Sequence, residues 1–279
     1  SIMRYIYVLL LFFSSAITFA QDYVPIDTAI FSCSYFYDFQ EDSLDKSSVQ
    51  SEEMTLLIGS HCSLFLGTNE LYRDSILLAH SNEPFDQNYL QRIAPLMQGT
   101  TIHRYCRYHI YNSYLADSIL FTTYLNSRNL KVKENNKINW EIEANQDTVI
   151  LGYKCLKAST ELWGRKYISW FTLDVPISCG PYKFSGLPGL IIQISDTEKQ
   201  HCFTINKVKD IKGKQQAIYY LNEDYAEITA KDYAKSLQYY FTDLYNRVSS
   251  GGFVTFQDEE SRARSLNRLK SRNNYIEKY

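Results

Sequence analysis

The sequence predicts a β-rich α+β protein built on one extended, strongly curved antiparallel sheet, half-barrel-like, with one or two helices against a face. Three observations predict it. Apolar residues recur at every second position in short runs along most of the chain; in the clearest run Ile138, Trp140 and Ile142 alternate with Asn139, Glu141 and Glu143. Period two is the signature of a half-buried strand. The runs are joined by short connections, which favours antiparallel neighbours over the strand–helix alternation of a doubly wound sheet. The clearest helical period comes late, where Tyr233, Leu237, Tyr240, Phe241 and Leu244 share a face behind Thr229 and Asp232, a capping-box pair with Asp in place of Glu.

Taken in order, residues 27–39 read as a strand around Cys33, rich in aromatic side chains at Phe31, Tyr35, Phe36 and Tyr37. Residues 40–53 are polar and read as a loop. Residues 54–58 and 60–66 are apolar runs broken at Gly59, a bulge or bend position, and a turn is expected at Gly67, Thr68 and Asn69. Pro84 suits the first turn of a helix that places Phe85, Tyr89, Leu90 and Ile93 on one face, with Pro95 limiting it. Residues 100–114 interleave His103, Arg104, Arg107 and His109 with Tyr105, Tyr108, Tyr111 and Tyr114. Such interleaving suits stacking on bases, but the alternation equally suits an amphipathic strand, the reading adopted.

Residues 119–125 and 130–132 are further strands, and Val149, Leu151, Tyr153 and Cys155 keep one period-two run. Residues 167–173, 190–195 and 203–208 complete the series. The late helix should lay its stripe on the sheet and end at Gly251 and Gly252. Arg262, Arg264, Arg268, Lys270 and Arg272 then mark residues 257–279 as a charged tail, read as a solvated helix or a loose end.

The densest punctuation lies at residues 180–191, Gly-Pro-Tyr-Lys-Phe-Ser-Gly-Leu-Pro-Gly-Leu-Ile. Pro188 and Gly189 suit the middle of a type II turn, and two strands joined by a rigid, twice-turned connection are expected. A structural corner is the plain reading; a backbone surface that meets a ligand is the functional one. Gly186 to Ile191 match the motif that names the GLPGLI family of exported bacterial proteins, and the chain resembles that family further at residues 152–155, 157–158, 164–165, 170–172, 176–178 and 180–184. Asn273, Asn274, Ile276 and Glu277 resemble its usual ending, with Tyr275 where proline is common. The resemblance implies an exported protein and carries no catalytic residue with it.

Residues 1–20 read as a secretory signal peptide: Arg4 begins it, residues 6–13 are apolar, and Thr18-Phe19-Ala20 is a small-x-small cleavage site. No cysteine stands at the cleavage point, which argues against lipid anchoring, and no later run is apolar enough to span a bilayer. The expected organisation is therefore a leader at 1–20, one β-rich domain at 21–256 and the charged tail at 257–279, exported to the periplasm or beyond the cell without a transmembrane anchor. The formal charge of −2 gives no reason to expect nucleic acid. Six cysteines in an oxidising compartment make disulfides plausible, and the first expectation is a bridge among Cys155, Cys179 and Cys202.

No nucleophile elbow, phosphate loop, dinucleotide fingerprint or zinc-protease motif is present. Asp174 and Asp196 flank the turn region, and His61-Cys62 and His201-Cys202 are two His–Cys pairs, but neither set is read as catalytic or metal-binding. The expectation is a non-catalytic protein without a cofactor that binds a hydrophobic or peptide-like ligand, or an envelope protein partner. Its groove is placed at Trp163, Trp170, Tyr182, Phe184, Leu187 and Pro188. The alternatives are a secreted hydrolase, favoured by a tight His and Asp cluster in a pocket, and a purely structural interaction module, favoured by a fully packed sheet face.

Overall fold

The structure, a computed structural model, describes residues 22–84, 86–98, 105–250, 256 and 258–279. The leader, His103, Arg104, Phe85 and the expected helix stop at Gly251 and Gly252 lie outside them. In chain order the elements are β1 (Asp22–Thr28), β2 (Phe31–Gln40), β3 (Val49–Ile58), β4 (Cys62–Gly67), α1 (Thr68–Ala79), α2 (Gln87–Met97), β5 (Tyr108–Ser113), β6 (Ser118–Leu125) and β7 (Arg128–Asn135). They continue with β8 (Glu141–Ile150), β9 (Tyr153–Leu162), β10 (Arg165–Thr172), β11 (Leu190–Asp196), β12 (His201–Asp210), β13 (Ala217–Asn222), β14 (Ala226–Glu227), α3 (Ala230–Ser249) and α4 (Glu259–Ser271).

Twelve strands form one sheet in the order β14-β7-β6-β5-β4-β3-β2-β12-β11-β10-β9-β8, and β1 pairs with β13 in a separate ribbon. Pairing is antiparallel except between β14 and β7. Two meanders, β2 to β7 and β8 to β12, meet at the long β2–β12 seam, where Tyr37 faces Phe203. The chain passes from β7 to β8, ten strand steps across the sheet, through residues 136–140 alone. Ten steps at about 4.8 Å make about 48 Å, whereas that link reaches at most about 21 Å. The sheet must curl until those two strands approach, which gives the expected half-barrel.

The tight turns follow from backbone chirality. Asn126 and Ser127, Leu151 and Gly152, and Trp163 and Gly164 all have positive φ. Paired positive φ in a two-residue connection is the I′ hairpin, whose twist matches its strands. Leu151 therefore turns a hairpin instead of continuing the run from Val149 to Cys155. The alternation at Ile138 and Trp140 is real as burial, but these residues cross the barrel end without ladder partners, and β8 begins only at Glu141.

Side chains on the concave face form the main core, with Tyr35, Met54, Phe65, Phe121, Tyr167, Phe171 and Phe203 among them. Leu57, Leu64, Leu66 and Tyr111 point the other way and pack with Ile211 and Ile218 in a second core. The middle strands are thus covered on both faces, which is why residues 54–58 and 60–66 read as unbroken apolar runs. Gly59 marks the β3–β4 turn, where a Cβ would stand 2.2 Å from Asp27 Oδ2. Asp27 there accepts from the backbone N–H groups of Thr28, His61 and Cys62 at 2.8, 2.7 and 3.1 Å.

Helix α1 stands where only a turn at Gly67, Thr68 and Asn69 is expected, and residues 49–53 belong to β3 instead of a loop. The expected cap of α3 is present: Thr229 Oγ1 accepts from Asp232 N–H at 3.1 Å. Its stripe does not lie flat on the sheet. Tyr233 reaches Phe121, with ring centroids 5.0 Å apart, while Phe241 further along faces Arg272 at 4.9 Å. The charged tail resolves into α4, which has no buried residue, and a docked end.

Candidate functional site: a tail-covered loop beneath a basic cleft

The β10–β11 connection folds into the concave face instead of standing away from it. Tyr182, Phe184 and Leu187 are 7%, 1% and 1% exposed. Trp163 packs on them from the β9–β10 turn, with ring centroids 5.6 Å from Tyr182 and 5.3 Å from Phe184. The structure brings these four predicted residues together, and their own side chains occupy the place where an apolar groove was expected. Trp170 falls on the opposite face of β10 from Tyr167 and Phe171, and Pro188 is exposed.

The turn chemistry also differs from expectation. Gly186, not Gly189, takes the left-handed conformation, at φ +93°. Gly189 is required by close approach: a Cβ there would stand 1.9 Å from the carbonyl oxygen of Thr172.

The chain's last residues cover this loop. Arg165, buried, donates from Nη1 to Asp196 Oδ2 (2.7 Å) and Gln200 Oε1 (3.0 Å). Its Nη2 donates to Asn274 Oδ1 (2.6 Å) and to the Tyr275 carbonyl (2.8 Å). Asn274 in turn donates to the Gln40 carbonyl at 2.9 Å, and Tyr167 O–H to that of Ile276 at 3.1 Å. Tyr182 O–H donates to Glu277 Oε1 at 2.6 Å. Lys183 pairs with the same oxygen at 2.6 Å and with Glu134, and lies 5.1 Å over Phe121 and 5.7 Å over Trp163. A charge so buried is tolerated because it is paired and ringed by aromatic faces. Sequence reasoning missed Arg165, Lys183 and Glu277 as a unit; Asn274 and Glu277 were visible only as part of a resemblance.

Beside the tail, α3 and α4 enclose a cleft of about 430 Å³. Lys231, Lys235, Lys270 and Lys278 line it, and none of the four forms an ion pair among the described residues. Phe241 and Tyr245 supply its aromatic wall. The acid that reaches it, Glu277, is already held by Lys183.

A second cavity, of about 240 Å³, opens under α1 on the convex face. There His109 Nε2 meets Asp74 Oδ2 at 2.6 Å, and Tyr23 O–H donates to Asp74 Oδ1 at 3.2 Å. Asp174 and Asp196 do not act as a pair: Asp196 is committed to Arg165 and to the N–H groups of Gln200 and His201.

All six cysteines are free thiols. No bridge joins any two of Cys155, Cys179 and Cys202; of the three pairings, Cys155 on β9 and Cys202 on β12 lie three strands apart. That is about 14 Å, well beyond the span of a disulfide. Cys179 instead meets Tyr114 Oη at 3.1 Å. Burial pushes the thiols of Cys33 and Cys62 up to about 12. No group of three or more metal-ligating side chains occurs among the described residues, and no helix there is long and apolar enough to cross a membrane.

Fold and site together define a class: a β-rich α+β protein whose open, curved sheet is filled by its own loop and closed by its own tail. The family model described as a protein of unknown function (Porph_ging) matches residues 164–193, from the β9–β10 turn through the motif into β11. No curated protein matches the chain. Two solved structures of PNGF-II, in P21 and C2 lattices, are similar at TM-scores of 0.48 and 0.47 with 15% and 14% identity. Each match covers 76% of this chain, which spans 33% of theirs.

Proposed function

We propose that this is a non-catalytic binding protein of the cell envelope whose α3–α4 cleft takes an acidic, peptide-like segment of a partner. The observation that carries this reading is the set of four unpaired lysines in one aromatic-walled cleft, on a chain whose formal charge is −2. Concentrated positive charge on an otherwise balanced surface steers acidic ligands. Because the concave face is filled, this reading sites the partner on the surface built over the tail and not on the loop's apolar side chains. The leader-like residues 1–20 and the GLPGLI resemblance, whose motif falls within the matched segment, support export. The His109–Asp74 pair is the feature that favours a hydrolase, but Ser75, the serine hydroxyl in that cavity wall, donates to the Leu71 carbonyl at 2.8 Å.

Fluorescence anisotropy with a labelled acidic peptide carrying one aromatic residue tests the reading. Binding should weaken at least about tenfold on raising salt from about 50 to about 300 mM, and as much in the Lys231→Glu, Lys235→Glu, Lys270→Glu variant. Equal binding of a lysine-rich peptide, or an unaffected triple variant, would overturn it.

A further inference from the structure

The convex-face cavity is a different site, independent of the basic cleft. We infer that it binds a small neutral amphiphile: one hydroxyl group on a compact apolar body. Its walls are aliphatic, with Leu57, Leu66, Leu71 and Leu221 among them. Its polar lining includes Tyr23, Asp74, Ser75 and Gln216, and β5 adds His109 and Tyr111, two residues apart on the same face with near-parallel rings, 6.3 Å between centroids. Both are more than nine-tenths buried, at 8% and 5% exposure.

The hydrogen bonding at that wall is asymmetric. The Asp74 carboxylate only accepts, so His109 carries its proton on Nε2 and donates it across 2.6 Å. When the ring carries that one proton, Nδ1 is an acceptor, and no hydrogen bond reaches it among the described residues. Tyr111 Oη accepts from the Leu221 N–H at 3.4 Å, which leaves its own O–H proton to give. One open acceptor beside one open donor is the complement of a hydroxyl, which offers one proton and accepts another. A carboxylate has no proton for Nδ1, and a hydrocarbon leaves both groups unpaired.

Size restricts the ligand further. A cavity of about 150 Å³ holds benzene, and drug-sized ligands need about 300 Å³ or more. At about 240 Å³ the space suits a substituted phenol or a medium-length alcohol.

NMR titration of the full chain with 4-methylphenol, toluene and 4-methylbenzoate tests the inference, with the ¹⁵N resonance of His109 Nδ1 as the reporter. The phenol should bind at least about tenfold more tightly than toluene and move the Nδ1 signal, as expected when a buried hydrogen-bonding site meets its partner. Tyr111→Phe keeps the ring and removes the hydroxyl; it should abolish most of that preference while leaving toluene binding unchanged. Equal affinities for phenol and toluene, tightest binding of the benzoate, no binding of the phenol at millimolar concentration, or an unchanged preference in Tyr111→Phe would each overturn it. His109→Gln is a second variant, read by ligand preference only after its circular dichroism matches that of the native chain.

Discussion

Gly189 stands where β11 begins, and the carbonyl of Thr172 occupies the space a side chain needs. Gly189→Ala should destabilise the protein by more than about 3 kcal/mol or prevent folding, since overpacking against backbone cannot be relieved by a rotamer change. Its neighbour Pro188 is exposed, and Pro188→Ala should stay within about 1 kcal/mol. Thermal melts of the pair check this; similar melting temperatures would contradict the close approach. His201 is the other residue with a consequence of its own. It is buried with Nδ1 at 2.8 Å from Tyr37 Oη and Nε2 unpartnered. Burial, followed by repulsion from Arg165 and Lys278, holds its pKa well below 6.5. The unfolded chain therefore takes up this proton first as pH falls. The stability that neutral His201 allows is present above about pH 6.5 and lost below it, by up to about 1.4 kcal/mol per pH unit. Urea midpoints should fall between about pH 7.5 and about pH 5.5, and His201→Gln should flatten that slope. Parallel profiles for the two proteins would refute the assignment.

Among the elements, the tail and α1 are the informative ones. The tail is held through Arg165, whose guanidinium joins β10, the turn after β11 and Asn274. Removing one partner of a buried ion pair costs about 3–5 kcal/mol, so Arg165→Met should be severe and Asn274→Ala milder, at about 1–3 kcal/mol. Their double-mutant cycle by urea denaturation should give a coupling above about 0.5 kcal/mol; additive effects would mean that the tail is not anchored there. Helix α1 escaped sequence reading for a chemical reason. Its buried positions include Glu70 and Asp74, and Gly67 caps it without a side-chain bond. A helix that turns carboxylates inward shows little amphipathic period. Local rules fail most often where a site breaks them, and Asp74 is the residue that orients His109.

At the scale of the molecule, the β2–β12 seam pairs residues such as Tyr37 and Phe203 that are far apart in sequence. Loop closure of that length precedes any reward from packing, so the sheet belongs with the slow, non-local topologies. The sequence by itself determined most strand segments of the main sheet, though not β1, β13 or the start of β8, together with the late helix and its Thr229 cap, and the sharp turning of the Gly186–Ile191 motif. Those features are written in local periodicity, capping and φ preference, which act within a few residues. Only tertiary structure decided that β2 joins β12, that the motif loop turns its aromatic side chains inward, and that the tail covers it. It also decided that Cys155 and Cys202 stay apart and that His109 meets Asp74. Each of these depends on which strands become neighbours, and that is set by how a twelve-stranded sheet curls, a global property that no short window of residues encodes.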